Sequence, residues 1–253
     1  MQVVMPQKKP VLLTRTDWLK LVGITTFLID HAGLFFIEND DWWRMAGRIA
    51  APIFFFLIGF ARSRNIPLSW LLWGVALTLM DWWIDGGQDF TLNILLNFAF
   101  VRLALRGIDR WAAQPWRLAL VALIAILLLP WADTIFEYGA EGWLWALFGY
   151  TQRLWRHGDM AYAYRRIMFA GVAALFYVVA ESAEHQFENF EALALAFITL
   201  ALAIALLGFD RTVSTVQPPS FLAKPLVWIS HYSLAIYAIS LFLMQDVFYV
   251  FPW

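Results

Sequence analysis

Three ionisable side chains in the first long apolar segment have the types and spacing that acid–base chemistry requires. Lys20, Asp30 and His31 lie in a stretch that is otherwise almost entirely apolar. Lys20 and His31 are eleven residues apart, so both project from one face of a helix, about 16 Å apart along its axis. An imidazole beside a carboxylate is a common general base near neutral pH. The spacing predicts a base near one end of this helix and a cation near the other.

The second apolar segment adds an arginine at a similar level. Arg48 begins a phenylalanine-rich stretch and is predicted to enter near Asp30 and His31. An ionisable group inside a membrane helix costs about 2.5–3.5 kcal/mol on insertion scales, so it generally has a buried partner or a function. Simpler interpretations stay open: Lys20 extends to the inner headgroups, or Asp30 and Arg48 form a structural ion pair. A third open interpretation is that His31 is a buried structural histidine.

Weaker candidates for a substrate site or cavity occur in two later segments. Glu141 and Tyr138 flank Gly139 at the start of the sixth apolar segment, and Glu141 is predicted to face a cavity. His231 and Tyr237 lie in the last apolar segment. These positions alone do not define a reaction, and they are retained as candidates for lining a substrate path.

The elements that position these residues follow from composition. Hydrophobic residues make up 62% of the 253-residue chain and charged residues only 15%, against about 25% charged in a soluble domain. The apolar residues form long blocks, which is typical of helices in lipid. We predict an all-α fold, a polytopic transmembrane helical bundle that forms a single domain over residues 1–253. The nine predicted spans cover residues 18–36, 47–61, 69–84, 91–105, 118–131, 134–150, 167–180, 192–208 and 226–248.

Basic and acidic loops alternate along the chain, and this pattern predicts the orientation of the bundle. Sixteen of the eighteen Lys and Arg residues fall in five basic clusters, which the positive-inside rule assigns to the cytoplasm. The chain is therefore predicted to be N-in/C-out, with an odd number of spans and residues 1–15 as a cytoplasmic N-terminal tail. We expect the first span to be retained, because it is too long for a signal peptide and no small-residue cleavage site follows it.

Composition also excludes several classes of function. The chain has no cysteine, so disulfides, thiol catalysis and thiolate metal sites are excluded. No zinc-ligand pattern, phosphate-binding glycine loop or nucleophilic serine elbow is present, and no metal site is predicted. A net charge of −1 gives no electrostatic basis for binding nucleic acid. The predicted surroundings are membrane lipid.

Two stretches of the sequence resemble a known family. Residues 19–33, which end in Asp30-His31-Ala-Gly33, and residues 47–60, which begin Gly47-Arg48 and contain Pro52-Ile-Phe-Phe-Phe, resemble the TraX family. That family is associated with N-terminal acetylation of conjugative pilin. The pattern is also similar to the wider membrane acyltransferases, which include the acyltransferase-3 proteins and heparan-α-glucosaminide N-acetyltransferase.

Two positions depart from the wider pattern. Lys20 stands where acyltransferase-3 proteins usually have arginine, a mild change because either cation can serve. The closing stretch, residues 230–242, resembles the Ser-Leu-x-Ile-Tyr helix of the same group, but Ser240 stands where many relatives have histidine. Any role of that second histidine is therefore not carried over, and His231 is not assumed to replace it.

The resemblance implies acyl transfer, from cytoplasmic acetyl-CoA to an amine or hydroxyl of a pilin N-terminus or a glycan. His31 is then predicted to act as the general base, with Asp30 orienting its ring. Arg48 is the candidate donor to the oxyanion. The expected location is the bacterial inner membrane, with the acceptor entering from the outer side.

The same hypothesis assigns the inner basic residues to the acyl donor. Acetyl-CoA carries phosphates, which charge-assisted contacts bind well. Lys20, Arg62 and Arg64 are nearest the first two spans and are the predicted cofactor-binding residues.

A transporter is the rival class. Asp30, His31, Arg48 and Glu141 could serve as a proton relay or substrate path in a small-molecule or proton-coupled transporter. An internal repeat with paired broken helices would favour that interpretation, but the charged first pair of spans has no counterpart later in the sequence. A third interpretation is a structural subunit whose buried charges tolerate conservative replacement.

Overall fold

The computed structural model describes residues 11–37, 41–88, 90–111 and 114–250. Over these residues the protein is helical, apart from loops and two isolated backbone bridges, Thr14 with Val213 and Leu92 with Phe136. The helices are α1 Arg15–Phe36, α2 Asp41–Gly47, α3 Ala50–Phe60, α4 Leu68–Ile84, α5 Ile94–Trp111, α6 Pro115–Ala132, α7 Gly139–Arg156, α8 Arg165–Glu184, α9 Asn189–Leu207, α10 Ser220–His231 and α11 Ser233–Val250.

Two of the predicted spans are interrupted. The predicted span 47–61 begins at Gly47, the last residue of α2, and the helix is interrupted there until α3 begins at Ala50. Gly47 packs so closely on the backbone of Asp30 that any side chain there would overlap it. The predicted span 226–248 is also divided at Tyr232, where α10 and α11 meet at an angle of 73°. Both interruptions lie beside residues of the site described below.

The structure contains apolar helices of the kind that cross membranes, but it does not confirm that nine of them are spans. Among the described residues, four segments are long and apolar enough to cross a bilayer, or five if α10 and α11 together make one span. The four are Arg15–Phe36, Trp42–Phe60, Met160–Glu184 and Asn189–Leu207. Helices α4 and α6 are apolar but shorter. The nine-span count and the N-in/C-out orientation stay predictions.

The centre of the bundle is the pairing of α3 with α7. Every residue of α3 is buried, and its surface fits against α7 through glycines on both helices. Gly59 lies against the carbonyl of Ala146, and Gly149 lies against the carbonyl of Phe56. Small residues let helix backbones approach closely in membranes, where van der Waals packing replaces the hydrophobic effect as the driving force.

Basic segments that are far apart in the sequence meet at one end of the bundle, here called the basic end. Asp109 at the end of α5 accepts from Arg64 at 2.8 Å and from Arg153 at 3.2 Å. Arg15 at the start of α1 lies 3.5 Å from Asp210. The opposite end, the acidic end, carries Asp30 and the carboxylates of the α6–α7 loop and α8. This separation of charge agrees with the alternation seen in the sequence.

Candidate active site

His31 lies on the last two turns of α1 and is buried, with 7% of its surface exposed. Its Nδ1 is 3.1 Å from the carbonyl oxygen of Phe27, one turn earlier. A carbonyl only accepts, so Nδ1 carries the proton, and in the neutral ring that burial favours, Nε2 keeps a free lone pair. The ring packs on the ring of Phe27 at 4.0 Å between centroids. This environment presents a neutral imidazole with one nitrogen ready to accept a proton.

Asp30 and Arg48 are brought together as the sequence predicts, and a second arginine joins them. The Asp30 carboxylate lies 3.6 Å from Arg44 and 3.6 Å from Arg48. One Asp30 oxygen is 3.8 Å from His31 Nδ1, beyond hydrogen-bonding distance. Arg48 also lies 3.5 Å from Glu181 on α8. Asp30 therefore belongs first to an ion cluster behind the histidine.

Arg48 is hydrogen-bonded to a tyrosine that lines the same cavity as His31. Its Nη1 donates to the Tyr138 hydroxyl at 2.9 Å, and its own backbone carbonyl accepts from the Tyr177 hydroxyl. Tyr138 has φ 53° and ψ 48°, in the left-handed region, which costs a non-glycine residue roughly 1–2 kcal/mol. Asn97 Nδ2 holds this loop by donating to the carbonyl of Tyr138 at 3.1 Å. Such strain at a bulky side chain often marks a functional position.

A small cavity of about 20 Å³ lies beside His31 and is here called the histidine cavity. It is large enough for about one water molecule. Two tyrosine side chains, Tyr138 and Tyr237, line it together with Glu137. The Tyr237 hydroxyl accepts from Asn93 Nδ2 at 3.0 Å, which leaves its own hydrogen free to donate. The cavity thus combines a base with two hydroxyl groups.

A larger cavity of about 420 Å³, here called the basic cavity, opens toward the basic end. Its polar lining includes Lys20, Arg102, Arg211 and His231, and its apolar lining includes Trp70 and Trp73. The walls that it shares with the histidine cavity are Phe54 and Leu234. The two spaces are therefore adjacent, with only these side chains common to both.

No carboxylate is among the described residues that line the basic cavity, although Asp17, just outside it, interacts electrostatically with Lys20. Arg102 stacks over Trp70 at 4.3 Å and donates to the Asn65 carbonyl. Partial burial lowers the pKa of the Arg211 guanidinium in the α9–α10 loop, and the neighbouring Arg62 adds to the effect. Three cations with aromatic neighbours make this cavity suited to a phosphate-bearing ligand.

A third space of about 150 Å³, here called the acidic cavity, lies at the opposite end. Glu137 and Tyr138 line both it and the histidine cavity. Asp133, Glu184 and Arg48 complete its charged lining. The histidine cavity therefore lies between a cationic space on one side and a largely anionic space on the other.

The TraX protein family model matches residues 15–245, which include every residue of the three cavities described above. The chain belongs to the TraX family. Two relatives named Protein TraX, from Escherichia coli strain K12 and from Escherichia coli, are each 30% identical to it. The alignments cover 148 residues, 56% of this chain and 57% of the first relative, and 150 residues, 57% and 58% for the second.

The chain thus spans less than three fifths of the length of these curated relatives. No solved structure matches it. Its apolar helices and its membership of the TraX family make it a membrane protein.

The structure of this TraX-family protein separates the sequence-predicted cofactor residues. Lys20 lines the basic cavity. Arg64 does not line it, because its guanidinium is paired with Asp109 through two contacts of 2.8 and 3.2 Å. Arg62 is exposed beside the cavity and is not part of its lining. Arg102 and Arg211, which were not predicted from the sequence to bind the cofactor, line it instead.

The substrate candidates are also divided between different places. Tyr138 and Tyr237 meet at the histidine cavity, whereas His231 lies at the basic cavity. Glu141 is buried in the first turn of α7 with 2% of its surface exposed, and it lines none of the three cavities.

Sequence reasoning missed the polar groups that support the tyrosines. Asn93 and Asn97 occur one helical turn apart in an apolar segment, and that pattern was an available signal because buried amides need partners. Glu181, which approaches Arg48, lies just beyond the predicted span 167–180, but α8 continues through it and only 1% of its surface is exposed.

Proposed function

We propose that this protein is a membrane-embedded acyltransferase that moves an acetyl group from acetyl-CoA to an amine or hydroxyl acceptor. The observation that supports this most directly is His31, a neutral imidazole in a cavity that shares two wall residues with a cationic cavity. A general base must lie within reach of both substrates. This arrangement offers one approach from each end of the bundle.

The basic cavity is the proposed site of the acyl donor. The phosphates of acetyl-CoA would contact Lys20, Arg102 and Arg211, and Trp70 offers an aromatic face near Arg102. The thioester would extend along α1 toward His31, past Phe54. Because Phe54 and Leu234 are the shared walls, their side chains must move before the acetyl group reaches the base.

The chemistry balances with the groups present. A nitrogen or oxygen of the acceptor attacks the thioester carbonyl, and a proton passes from the acceptor to His31 Nε2. The new carbon–nitrogen or carbon–oxygen bond forms as the carbon–sulfur bond breaks, and the proton then passes from His31 to the departing thiolate. The Phe27 carbonyl, which holds Nδ1, fixes the tautomer that this sequence of transfers needs.

The oxyanion formed at the carbonyl would receive hydrogen bonds from Tyr138 and Tyr237. Tyr138 is the stronger donor, because Arg48 donates to its hydroxyl oxygen and polarises the O–H bond. Arg48 therefore acts through Tyr138 as a positioning residue, rather than as the direct donor expected from the sequence. Asp30 pairs with Arg48 and, in this proposal, helps to hold the guanidinium in position.

Replacement of Tyr138 by phenylalanine is expected to lower kcat for acetyl transfer by about 10²–10³-fold, the usual cost of losing one oxyanion donor. The KM for acetyl-CoA should stay near the wild-type value, since the hydroxyl interacts with the transition state. Steady-state kinetics with labelled acetyl-CoA measures both values. Tyr164→Phe is the matched control, because Tyr164 is 82% exposed. Equal activity of Tyr138→Phe and Tyr164→Phe would assign the oxyanion to another donor.

Replacement of Lys20 by alanine is expected to weaken acetyl-CoA binding by about 10- to 100-fold, the cost of one charge-assisted contact to a phosphate. Equilibrium binding of acetyl-CoA to the purified protein measures this change. Arg110→Ala removes an exposed cation at the same end that does not line the cavity, and it should have little effect. If Arg62→Ala weakens binding while Lys20→Ala does not, the donor binds at the surface loop and not in the basic cavity.

The acceptor would approach from the acidic end, through the acidic cavity. A pilin N-terminal amine or a glycan hydroxyl are the acceptor classes that the resemblance to the TraX family implies. In this proposal the chain lies in the bacterial inner membrane with its basic end in the cytoplasm, where acetyl-CoA is made.

A proton-coupled transporter is the second candidate, and one observation favours it. One helix pair is sharply bent beside the site, α10–α11 at Tyr232, and a short turn at Arg48 separates α2 from α3 within the segment Trp42–Phe60. Discontinuous helices line the substrate sites of many transporters. The deciding experiment incubates membranes that contain or lack the protein with acetyl-CoA labelled in the acetyl group. Label transferred to protein or glycan supports acetyl transfer. Uptake into proteoliposomes without any transfer would support transport instead.

A further inference from the structure

The last turn of α8 carries three potential ligands on one face. Glu181, Glu184 and His185 occupy positions i, i+3 and i+4, which are neighbours on a helix surface. One ligand atom from each lies within 4.8 Å of the other two, and Glu181 Oε2 is 3.4 Å from His185 Nε2. Glu181 is buried, His185 is partly buried and Glu184 is exposed. The three atoms converge without any change of backbone.

Several buried atoms at this place have no hydrogen bond. They are Oε2 of Glu181, Nε2 of His185 and Oε2 of Glu141. Glu141 lies on a different helix, α7, with 2% of its surface exposed; its carboxyl group is hydrogen-bonded to Asp133 and interacts electrostatically with Glu181. Buried polar groups without partners are rare in native proteins, so the unpaired Oε2 of Glu181 and Nε2 of His185, which lie 3.4 Å apart, indicate a missing ligand.

The charges at the acidic end point to a cation. The buried carboxylates are Asp30, Glu141 and Glu181. The neighbouring cations are Arg44 and Arg48, and both approach Asp30. Arg48 Nε lies 3.5 Å from Glu181 but makes no hydrogen bond to it. Asp133 and Glu184 add carboxylates at the exposed edge, and Asp133 shares a hydrogen bond, and therefore a proton, with Glu141. Negative charge still exceeds positive charge, and part of it lies on the buried Glu181, which is costly without a counterion.

We propose that Glu181, Glu184 and His185 bind a divalent cation, with Zn²⁺ the best-suited ion. One imidazole nitrogen and two carboxylates are ligands that zinc takes readily, at about 2.0–2.2 Å. Asp133 lies close enough to interact with both glutamates and would support the site from the α6–α7 loop. The ion would enter through the acidic cavity, which Glu184 and Asp133 line. This site is distinct from His31 and does not depend on acyl transfer.

The sequence shows no zinc-ligand pattern because two of the three ligands are carboxylates in an acidic stretch that follows the predicted span 167–180. The observation that reveals them is the continuation of α8 to Glu184. Because the helix continues, the side chains of Glu181, Glu184 and His185 lie on one face of a single turn.

Isothermal titration of purified, chelator-treated protein with Zn²⁺ tests the proposal. One saturable site per chain is expected, and Glu184→Gln and His185→Asn should each weaken it by at least about tenfold. Both side chains lie at the edge of the fold, so these variants should keep the helical content of the wild type in circular dichroism. The matched controls are Asp85→Asn, an exposed acid that follows α4, and His157→Asn, an exposed histidine that follows α7.

Two results would overturn the proposal. One is the absence of saturable zinc binding to the wild type. The other is equal weakening by Asp85→Asn and Glu184→Gln, because that would indicate only diffuse attraction to acidic surface. Neither result bears on acetyl transfer, and loss of acetyl transfer in His31 variants does not bear on zinc binding.

Discussion

Replacement of His31 by alanine is expected to lower the rate of acetyl transfer by about 10²–10⁴-fold, the range that a positioned general base contributes. The physical reason is that Nε2 is the free ring nitrogen beside the small cavity, since Nδ1 is held by the Phe27 carbonyl. Acetyl-CoA should bind with nearly unchanged affinity, because the cations of the basic cavity remain. Transfer of labelled acetyl groups and equilibrium binding of acetyl-CoA measure the two quantities separately.

The controls for His31 separate chemistry from folding. His31→Gln keeps a polar side chain of similar length but has no basic nitrogen, and it should be as inactive as His31→Ala. His157→Ala changes an exposed histidine that follows α7 and should keep wild-type activity. Full-rate transfer by His31→Gln would mean that His31 is a structural histidine, the simpler interpretation that the sequence leaves open.

Replacement of Gly59 by alanine is expected to destabilise the protein by about 3 kcal/mol, at the upper end of the cost of overpacking a core. The added methyl group would overlap the carbonyl of Ala146 on α7. That atom is backbone, so the two helices must separate to relieve the contact. The midpoint of unfolding in a denaturing detergent titration measures the change.

Gly149→Ala should behave like Gly59→Ala, because its methyl group would overlap the carbonyl of Phe56 from the opposite helix. Gly107→Ala is the matched control, since a methyl group there meets nothing within 4 Å. Alanine is a better helix former than glycine by up to about 1 kcal/mol, so Gly107→Ala should leave stability unchanged or raise it. If Gly59→Ala and Gly107→Ala have the same midpoint, the close α3–α7 contact is not a main source of stability.

Much of the site within one helix could be predicted from the sequence. Helical geometry fixes the positions of Lys20 and His31 on α1, and the structure finds one in the basic cavity and the other in the histidine cavity. The pairing of Asp30 with Arg48 was also predictable, because a buried carboxylate in an apolar segment needs a cation. These conclusions depend on local geometry and on the cost of burying charge, and both can be read along the chain.

The contacts between distant helices could not be predicted. The approach of Glu181 to Arg48 depends on how α8 packs against the α2–α3 turn, and no spacing in the sequence encodes that distance. The bend at Tyr232 was missed for a related reason. The residue is neither proline nor glycine, the usual causes of a break, and the apolar pattern continues through it.

The walls formed by Phe54 and Leu234 have a consequence for the cell as well as for the reaction. A continuous wet passage from Lys20 past His31 to Glu137 would let protons leak across the bilayer and dissipate the energy stored in the proton gradient. Two apolar side chains between the basic cavity and the histidine cavity interrupt that passage, since water in a space of about 20 Å³ forms no chain. Under the proposed function, the same two residues that the donor must pass would also keep the membrane closed to protons.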